Sequence, residues 1–338
     1  MKKIALTISI TTALANGTAN LRADESVTVD TFVRAESDTM IRANMSMLGA
    51  DIGKLVHLRE PTTPDNQPVI RMNQDTLYSG AVLDLSKPVK ITLPETKGRY
   101  ISMHVVSQDH YMLVKSGGGS YEITEKDVGT RFALLTIRTF VDISDPKDLS
   151  KVHALQDTIT LSGGGSGPFE APDWDLEDLK TARRALSDLG TLGFDTTYAF
   201  GARDEVRPVD HLVGAGAGWG GLPPAAAYYT MGRVDADDGK TPHAVTVKDV
   251  PVDAFWSVTI YNADGYLEAN ELGINNYNNY TATSNDDGSF TLHFGACGDG
   301  RLNCIPITPG WNYAIRFYEP RQEILDGRWT FPIIRPLQ

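Results

Sequence analysis

Two periodicities divide the chain. Between residues 28 and 56, Phe32, Val33, Met40, Ile41, Met45, Leu48 and Ile52 recur at spacings near three and four, which predicts an amphipathic helix. Asp30 is placed to cap it, Arg34 and Glu36 fall on its wet face, and Pro61 and Pro64 stop any continuation. From Val69 to Ile143 the texture changes to short β-rich runs at 81–85, 89–93, 100–106, 111–114 and 132–143, punctuated by Pro88, Pro94, Gly98 and the glycines at 117–119. Strands this short and closely spaced predict an antiparallel sandwich or barrel. A further helix is expected to open at Asp173, with Leu176, Leu179, Leu186 and Leu189 on one stripe, Arg183 and Arg184 opposite, and Gly190 and Gly193 at its end.

Residues 214–224 alternate glycine with alanine, then reach Trp219 and two prolines, and read as an irregular loop. Beyond Tyr228 the strand pattern returns at 244–247, 255–261, 290–294 and 313–318, with turns at 263–265, 286–288 and 309–310. Helices do not alternate with strands, so a parallel α/β architecture is disfavoured. The expected fold is mainly β, with two antiparallel β-sandwich domains and a small helical portion. The first domain, with its N-terminal helix, spans 24–150; a helical and glycine-rich connector spans 151–225; the second β domain spans 226–338. No repeat of 20–50 residues is visible, which excludes solenoids and propellers.

The ends of the chain add an address. Met1-Lys2-Lys3 precedes an apolar run from 4 to 15 and then small residues, the parts of a secretory signal peptide over residues 1–23. Ala15, Ala19 and Ala23 offer cleavage points, the last two leaving a signal of ordinary length. The run is shorter than the roughly 20 residues a membrane helix needs, and no later stretch approaches that length. A periplasmic or secreted protein without membrane insertion is therefore expected. Cys297 and Cys304, the two cysteines of the chain, flank a turn-rich stretch, and an oxidising compartment would join them.

Composition then removes some functions. With 31 basic and 43 acidic residues among 338, the net charge of −12 repels phosphate backbones, so nucleic acid is not an expected partner. Two cysteines cannot build a four-cysteine zinc site. There is no Gly-x-Ser-x-Gly elbow, no His-Glu-x-x-His, no phosphate-binding loop and no dinucleotide fingerprint, and nothing names a cofactor. Ser166 sits in a glycine-rich loop, and Asp235, Asp237 and Asp238 lack the spacing of a calcium loop.

The remaining chemistry lies in two clusters. One runs from Arg71 to Ser79 through Asn73, Asp75 and Tyr78; the other holds His104 and Asp109-His110-Tyr111. Carboxylates beside imidazoles are the material of general acid–base work. In that reading Asp75 or Asp109 is the acid or base, and His110 or His104 carries the proton. Arg71 and Asn73 clamp substrate, and Tyr78, Tyr111 and Trp219 contact it. With His57 the same residues could form a metal site. The structural alternative is that Asn and Asp cap turns at strand ends and that Arg71 pairs with a carboxylate in the core. Trp256, Tyr261, Trp311 and Trp329 could line a cleft or fill a sandwich core.

Several long segments carry a resemblance. They are 32–38 (Phe-Val-Arg-Ala-Glu-Ser-Asp), 71–79, 109–111, 218–221 (Gly-Trp-Gly-Gly), 249–257, 303–313, 316–321 and 326–329. Together they resemble exported bacterial proteins that join the domains of unknown function numbered 1254, N-terminal, and 1214, C-terminal. The resemblance implies two β-sandwich domains, the second jelly-roll-like, with a small helical portion. Gln74 departs from it, standing where a basic residue is expected, which weakens an anion site at that position. The family's activity is not established, so the resemblance carries no catalytic residue across. Two functional readings follow. One is a periplasmic hydrolase or lyase acting on a small or carbohydrate-like substrate through an Asp/His site. The other is a non-catalytic ligand- or carbohydrate-binding envelope protein. Neither reading decides whether the chain forms a homo-oligomer.

Overall fold

Strand alternation sorts the molecule into two pairs of facing sheets. The structure is a computed structural model that describes residues 25–67 and 70–337; the signal peptide expected over 1–23 lies outside the described residues. The first part contains α1 (Phe32–Leu48), β1 (Val56–Leu58), β2 (Thr76–Asp84), β3 (Val89–Leu93), β4 (Ile101–Ser107), β5 (Met112–Ser116), β6 (Gly119–Ile123), α2 (Glu125–Val128), β7 (Phe132–Phe140), α3 (Pro146–Gln156) and β8 (Thr160–Gly163). A helical segment follows, with α4 (Leu176–Gly190), α5 (Thr196–Ala199) and α6 (Pro208–Gly218). The last part contains β9 (Ala227–Arg233), β10 (His243–Val247), β11 (Val252–Tyr261), β12 (Asn276–Asn278), β13 (Phe290–Phe294), β14 (Cys304–Ile305), β15 (Asn312–Pro320), α7 (Gln322–Leu325) and β16 (Arg335–Pro336).

The first pair sets the five-stranded sheet β1-β2-β7-β4-β5 against the three-stranded sheet β6-β3-β8. Side chains of successive strand residues leave opposite faces. One face of the large sheet therefore contributes Ala81, Leu83, Ile101, Met103, Val105, Ala133, Leu135 and Ile137, which meet Val89, Ile91 and Leu93 of β3 in a dry core. The second pair sets β12-β11-β15-β9 against β14-β13-β10-β16. Here Trp256, Val258, Ile260, Ile315 and Phe317 pack on Val245, Val247, Leu292 and Phe294. Among the described residues the pairings between these strands are antiparallel except β13 with β14, and an isolated parallel bridge joins Glu25 to Trp174. The molecule is mainly β, as expected, and Trp256 and Trp311 are core residues of the second pair.

Three details differ from the sequence reading. First, α1 starts at Phe32 after Thr31 rather than under an Asp30 cap. Second, much of the glycine-rich stretch at 214–224 is not a loop, because α6 runs to Gly218. Its glycines permit close helix packing. A Cβ on Gly214 would lie 2.9 Å from the Ala199 Cβ, and one on Gly216 would lie 2.6 Å from the Leu186 Cβ. Third, the leucine stripe of α4 is only half used: Leu179 is buried, but Leu176 and Leu189 are 63% and 52% exposed. Among the described residues no helix is long and apolar enough to cross a membrane.

Cys297 and Cys304 are joined in a disulfide, as their spacing suggested. They stand seven positions apart, and closing so small a loop restricts the unfolded chain by about 2–3 kcal/mol. A Cys297→Ser, Cys304→Ser double variant is expected to lose that amount in urea unfolding under non-reducing conditions. An unchanged midpoint would show that the bridge adds nothing to stability.

Candidate functional site

Helix α1 holds its place through polar groups. Its Phe32, Ala35 and Ile41 are buried, but so are Glu36, Ser37 and Asp38. Glu36, expected on the wet face, accepts two bonds from the Arg183 guanidinium at 2.8 and 2.7 Å. Ser37 accepts from the Trp219 indole at 3.0 Å. Asp38 accepts from Gln108 at 2.7 Å and from the Trp174 indole at 2.9 Å. Burial still raises the Asp38 pKa, against the pull of those bonds and of Arg34 and Arg42. Arg34 binds Asp109 through both Nε and Nη2.

These bonds decide the fate of one candidate cluster. Asp109 is the partner of Arg34, and its carboxylate has no imidazole bonded to it. His110 stands at φ 62°, a left-handed conformation that a branched or bulky residue rarely adopts. Its Nε2 accepts from the Gly220 amide at 2.9 Å. Burial, with His211 beside it, lowers its pKa to about 3. Tyr111 stacks on His211 with ring centres 4.9 Å apart, and the Arg203 guanidinium lies 5.7 Å from its ring centre. Trp219 packs against His110 and the helices rather than forming a platform on the second β unit. These residues form a folded corner in which the Asp109 carboxylate is bonded to Arg34 and the His110 ring to the Gly220 amide.

The loop before β2 has a different task. Asp75 is fully buried. Its Oδ2 accepts from the Ser257 hydroxyl at 2.6 Å, and its Oδ1 accepts from Asn276 at 2.7 Å and Asn278 at 3.1 Å. The donors belong to β11 and β12, so a carboxylate of the first β unit is gripped by the sheet of the second. Burial raises its pKa despite these donors and Arg316. Arg316 donates to the Thr259 hydroxyl at 2.9 Å, the Tyr261 hydroxyl at 2.6 Å and the Arg71 carbonyl at 2.8 Å. Tyr261 in turn donates to the Met72 carbonyl at 2.8 Å. Arg71, also left-handed at φ 60°, reaches Asn312. Asn73 accepts from the Asp75 amide at 2.7 Å and donates to Thr76 at 2.8 Å. Arg71 and Asp75, read as clamp and acid, therefore fasten one β unit to the other, while Asn73, read as part of the clamp, braces the loop itself.

Between these fastenings two polar sheet faces oppose each other. Register places Arg138 of β7 beside Tyr78 of β2 and Ser102 of β4, with His104 and Thr136 one pair further along the same face. In the other sheet Tyr229, Arg316, Ser257 and Asn278 form one row across β9, β15, β11 and β12. Aromatic rings close one side of the seam. Phe255 lies 5.5 Å from Tyr100, 4.9 Å from Phe140 and 4.2 Å from Tyr318 between ring centres. Beyond them Tyr78, Thr136 and Arg138 stay half-buried although β2 and β7 are interior strands. Tyr229 is 37% exposed, yet desolvation of its hydroxyl end raises its pKa, in the field of Arg138, Arg316, Tyr78 and Tyr261. The Nε2 of His104 is buried without a hydrogen-bond partner among the described residues, and burial, Arg138 and His110 hold the ring well below the usual histidine range.

Of the residues singled out in the sequence, Tyr78 and His104 lie on the first of these faces and Tyr261 on the second. Arg138, Tyr229 and Tyr318 lie on them too, and the sequence reading passed over them. Arg138 carried one signal: a lone cation inside an apolar strand run. A cleft of about 380 Å³ opens elsewhere along the seam, beside Lys97, Arg99, Phe140, Asp148 and Tyr280. Its central charges are matched, because Arg99 is bound to Asp148. His57, suggested as part of a metal site, bonds Ser79 through Nδ1 at 2.8 Å. Among the described residues no three His, Cys, Asp or Glu side chains gather as metal ligands.

Residues 52–163 match a family described as a protein of unknown function, DUF1254, and residues 226–322 match another, DUF1214. The chain belongs to the proteins that join DUF1254 to DUF1214. The Asp75 grip therefore runs from the DUF1254 region to the DUF1214 region, while α1 and α4 to α6 lie outside both matched stretches. The fold resembles the crystal structure of the VPA0106 protein from Vibrio parahaemolyticus, with a TM-score of 0.71 at 19% identity over 92% of this chain and 98% of that one. It also resembles an uncharacterized protein from Burkholderia cenocepacia, with a TM-score of 0.50 at 15% identity over 91% and 88%. At these identities the likeness is one of fold. No curated protein matches the chain.

His110 gives this DUF1254 region a pH dependence. Its folded pKa lies below the unfolded value near 6.5, so the unfolded state binds the proton first. Stability is then complete above that value and falls as pH drops from about 6.5 towards 3, by up to about 1.4 kcal/mol per pH unit for one histidine. His110→Asn suits the left-handed backbone and is expected to flatten the acid limb of stability against pH by that slope. An unaltered limb would show that His110 is not kept neutral by its site.

Proposed function

We propose that the protein binds a small hydroxylated, carbohydrate-like molecule in the seam between its two β units, as a non-catalytic protein exported to the periplasm or medium. One observation carries the reading: Tyr229 is more than a third exposed although its hydroxyl is set among Arg138, Arg316, Tyr78 and Tyr261. On the neighbouring strand Thr136 is half-buried beside His104, with a hydroxyl that suits a hydroxylated ligand, while Ser102, Ser257, Thr259 and Asn276 already bond Tyr100, Asp75 and Arg316. Convergent polar groups on rigid strands beside aromatic rings are the usual make-up of a small-molecule site. The disulfide accords with an oxidising compartment.

A second reading, a hydrolase or lyase, is favoured by Asp75. Burial raises its pKa, as a proton donor at neutral pH requires, and it couples to Arg316 and Tyr318 at the same seam. Against it, among the described residues no carboxylate bonds to the ring of His104 or His110.

Protein exported under its own leader is the sample for the test. It is expected to begin at Asn20 or Asp24, and recovery only in the cytosol with Met1 retained would contradict export. A thermal-shift screen of mono- and disaccharides, sugar acids and small hydroxy acids is expected to yield a ligand, adding about 2.7 kcal/mol at a hundred times Kd. Tyr229→Ala should abolish that shift. Ligands that bind Tyr229→Ala and Tyr78→Ala as tightly as wild type would move the site elsewhere. Turnover of the ligand, lost in Asp75→Asn, would establish the enzyme reading instead.

A further inference from the structure

We propose that the seam takes the oxyanion of a small acid, a carboxylate or a phosphate, on the guanidinium of Arg138, with the imidazole of His104 as a second donor. This rests on the seam being the ligand site, and it adds the charge of the ligand.

Arg138 projects from β7, an interior strand of the five-stranded sheet, between Tyr78 and Ser102. Its guanidinium has five N–H donors. Among the described residues it makes no hydrogen bond and no ion pair. Its Nη1 is buried without a partner, and its one ring contact is Tyr78, 5.6 Å from the ring centre. Other arginines of the fold, half-buried or buried, are answered. Arg99 binds Asp148, Arg131 binds Asp84 and Glu170, Arg183 binds Glu36, and Arg316 holds three oxygens. Asp75 does not serve Arg138, because its oxygens are taken by Ser257, Asn276 and Asn278.

Tyrosine hydroxyls do not replace the missing counter-charge. Burial works against the Arg138 cation, and Tyr78, Tyr229, Tyr100 and Tyr318 more than offset it, so its pKa is raised. Burial pushes Tyr100, Tyr229 and Tyr318 each above its ordinary value, so near neutral pH they are uncharged. They present dipoles and no anion. A half-buried cation with one nitrogen cut off from water and left without a partner is costly, and a planar guanidinium is shaped for two-point binding of a carboxylate or phosphate. His104 lies diagonally across the strand pair from Arg138, with Nε2 buried and without a partner. As a neutral imidazole it has one N–H to donate.

The test uses the full mature protein and titrates sodium acetate, sodium benzoate and inorganic phosphate at constant ionic strength against chloride. Binding and melting temperature are read for wild type, Arg138→Gln, Arg138→Lys and Arg131→Gln. At least one anion is expected to bind wild type and raise its melting temperature; acetate or benzoate alone would name a carboxylate, and phosphate alone a phosphoryl group. Arg138→Gln should weaken binding at least tenfold while melting no lower than wild type in chloride, since it removes an unanswered charge. Arg138→Lys keeps the charge without the fork and should fall between, and it carries the test if Arg138→Gln does not fold. Arg131→Gln, altered at an arginine already paired, should bind as wild type does. Equal affinity in Arg138→Gln, or a large loss of its stability in chloride, overturns the proposal. If neutral sugars bind and are lost in Tyr229→Ala while no anion binds, the seam stands as the site and its anionic ligand falls. If neither class binds, both readings fall.

Discussion

A single buried carboxylate holds the two halves of this protein in register. Asp75 leaves the loop before β2 and ends among three donors of the opposite sheet. A carboxylate out of water is stable only where its lone pairs are answered, and here the answers come from residues some two hundred positions away. Arg316 reinforces the joint by reaching the Arg71 carbonyl, as does Tyr261 by reaching the Met72 carbonyl. With residues 71–75 tied to the second sheet, β2 follows at a set distance from it, and so do the neighbours of β2 in its own sheet. The separation of the two polar faces, and with it any ligand space between them, depends on this joint.

Alternation explains why two polar faces meet. Each large sheet buries one face in its own sandwich, and the apolar residues at every second position supply it. The other faces could have been coated with charge and left to solvent. They carry tyrosines, amides, hydroxyls, arginines and a histidine, and they meet. Apolar rings seal one side, Asp75 and Arg316 fasten another, and Arg138 and Tyr229 keep part of their surface open. Strand-borne side chains on two joined sandwiches move little, which is what a binding site with several convergent polar groups needs. The helices serve this arrangement from outside, through the buried polar face of α1.

What was readable in the sequence follows from the range of each interaction. Local patterns were legible: β3 has the bounds its apolar alternation suggested, and the disulfide joins cysteines seven residues apart. The motif from Arg71 to Ser79 was correctly seen as a concentrated polar feature. Its meaning was hidden, because its partners Ser257, Asn278 and Arg316 are distant in sequence. Glu36 looked solvent-facing for the same reason, since Arg183 sits on another helix. The glycines of α6 suggested a loop, and only the proximity of Leu186 and Ala199 shows that they make room. Arg138 and Tyr229 were missed because strand residues disclose their facing only once sheet register is known.

The joint itself can be measured by a double-mutant cycle across it. Asp75→Ala, Ser257→Ala and the pair, followed by urea unfolding, isolate the interaction between a loop of the first β unit and a strand of the second. A coupling of about 1.5 kcal/mol or more is expected for a hydroxyl bonded to a buried carboxylate. Additivity of the two substitutions to within about 0.5 kcal/mol would contradict the account that Asp75 holds the halves together.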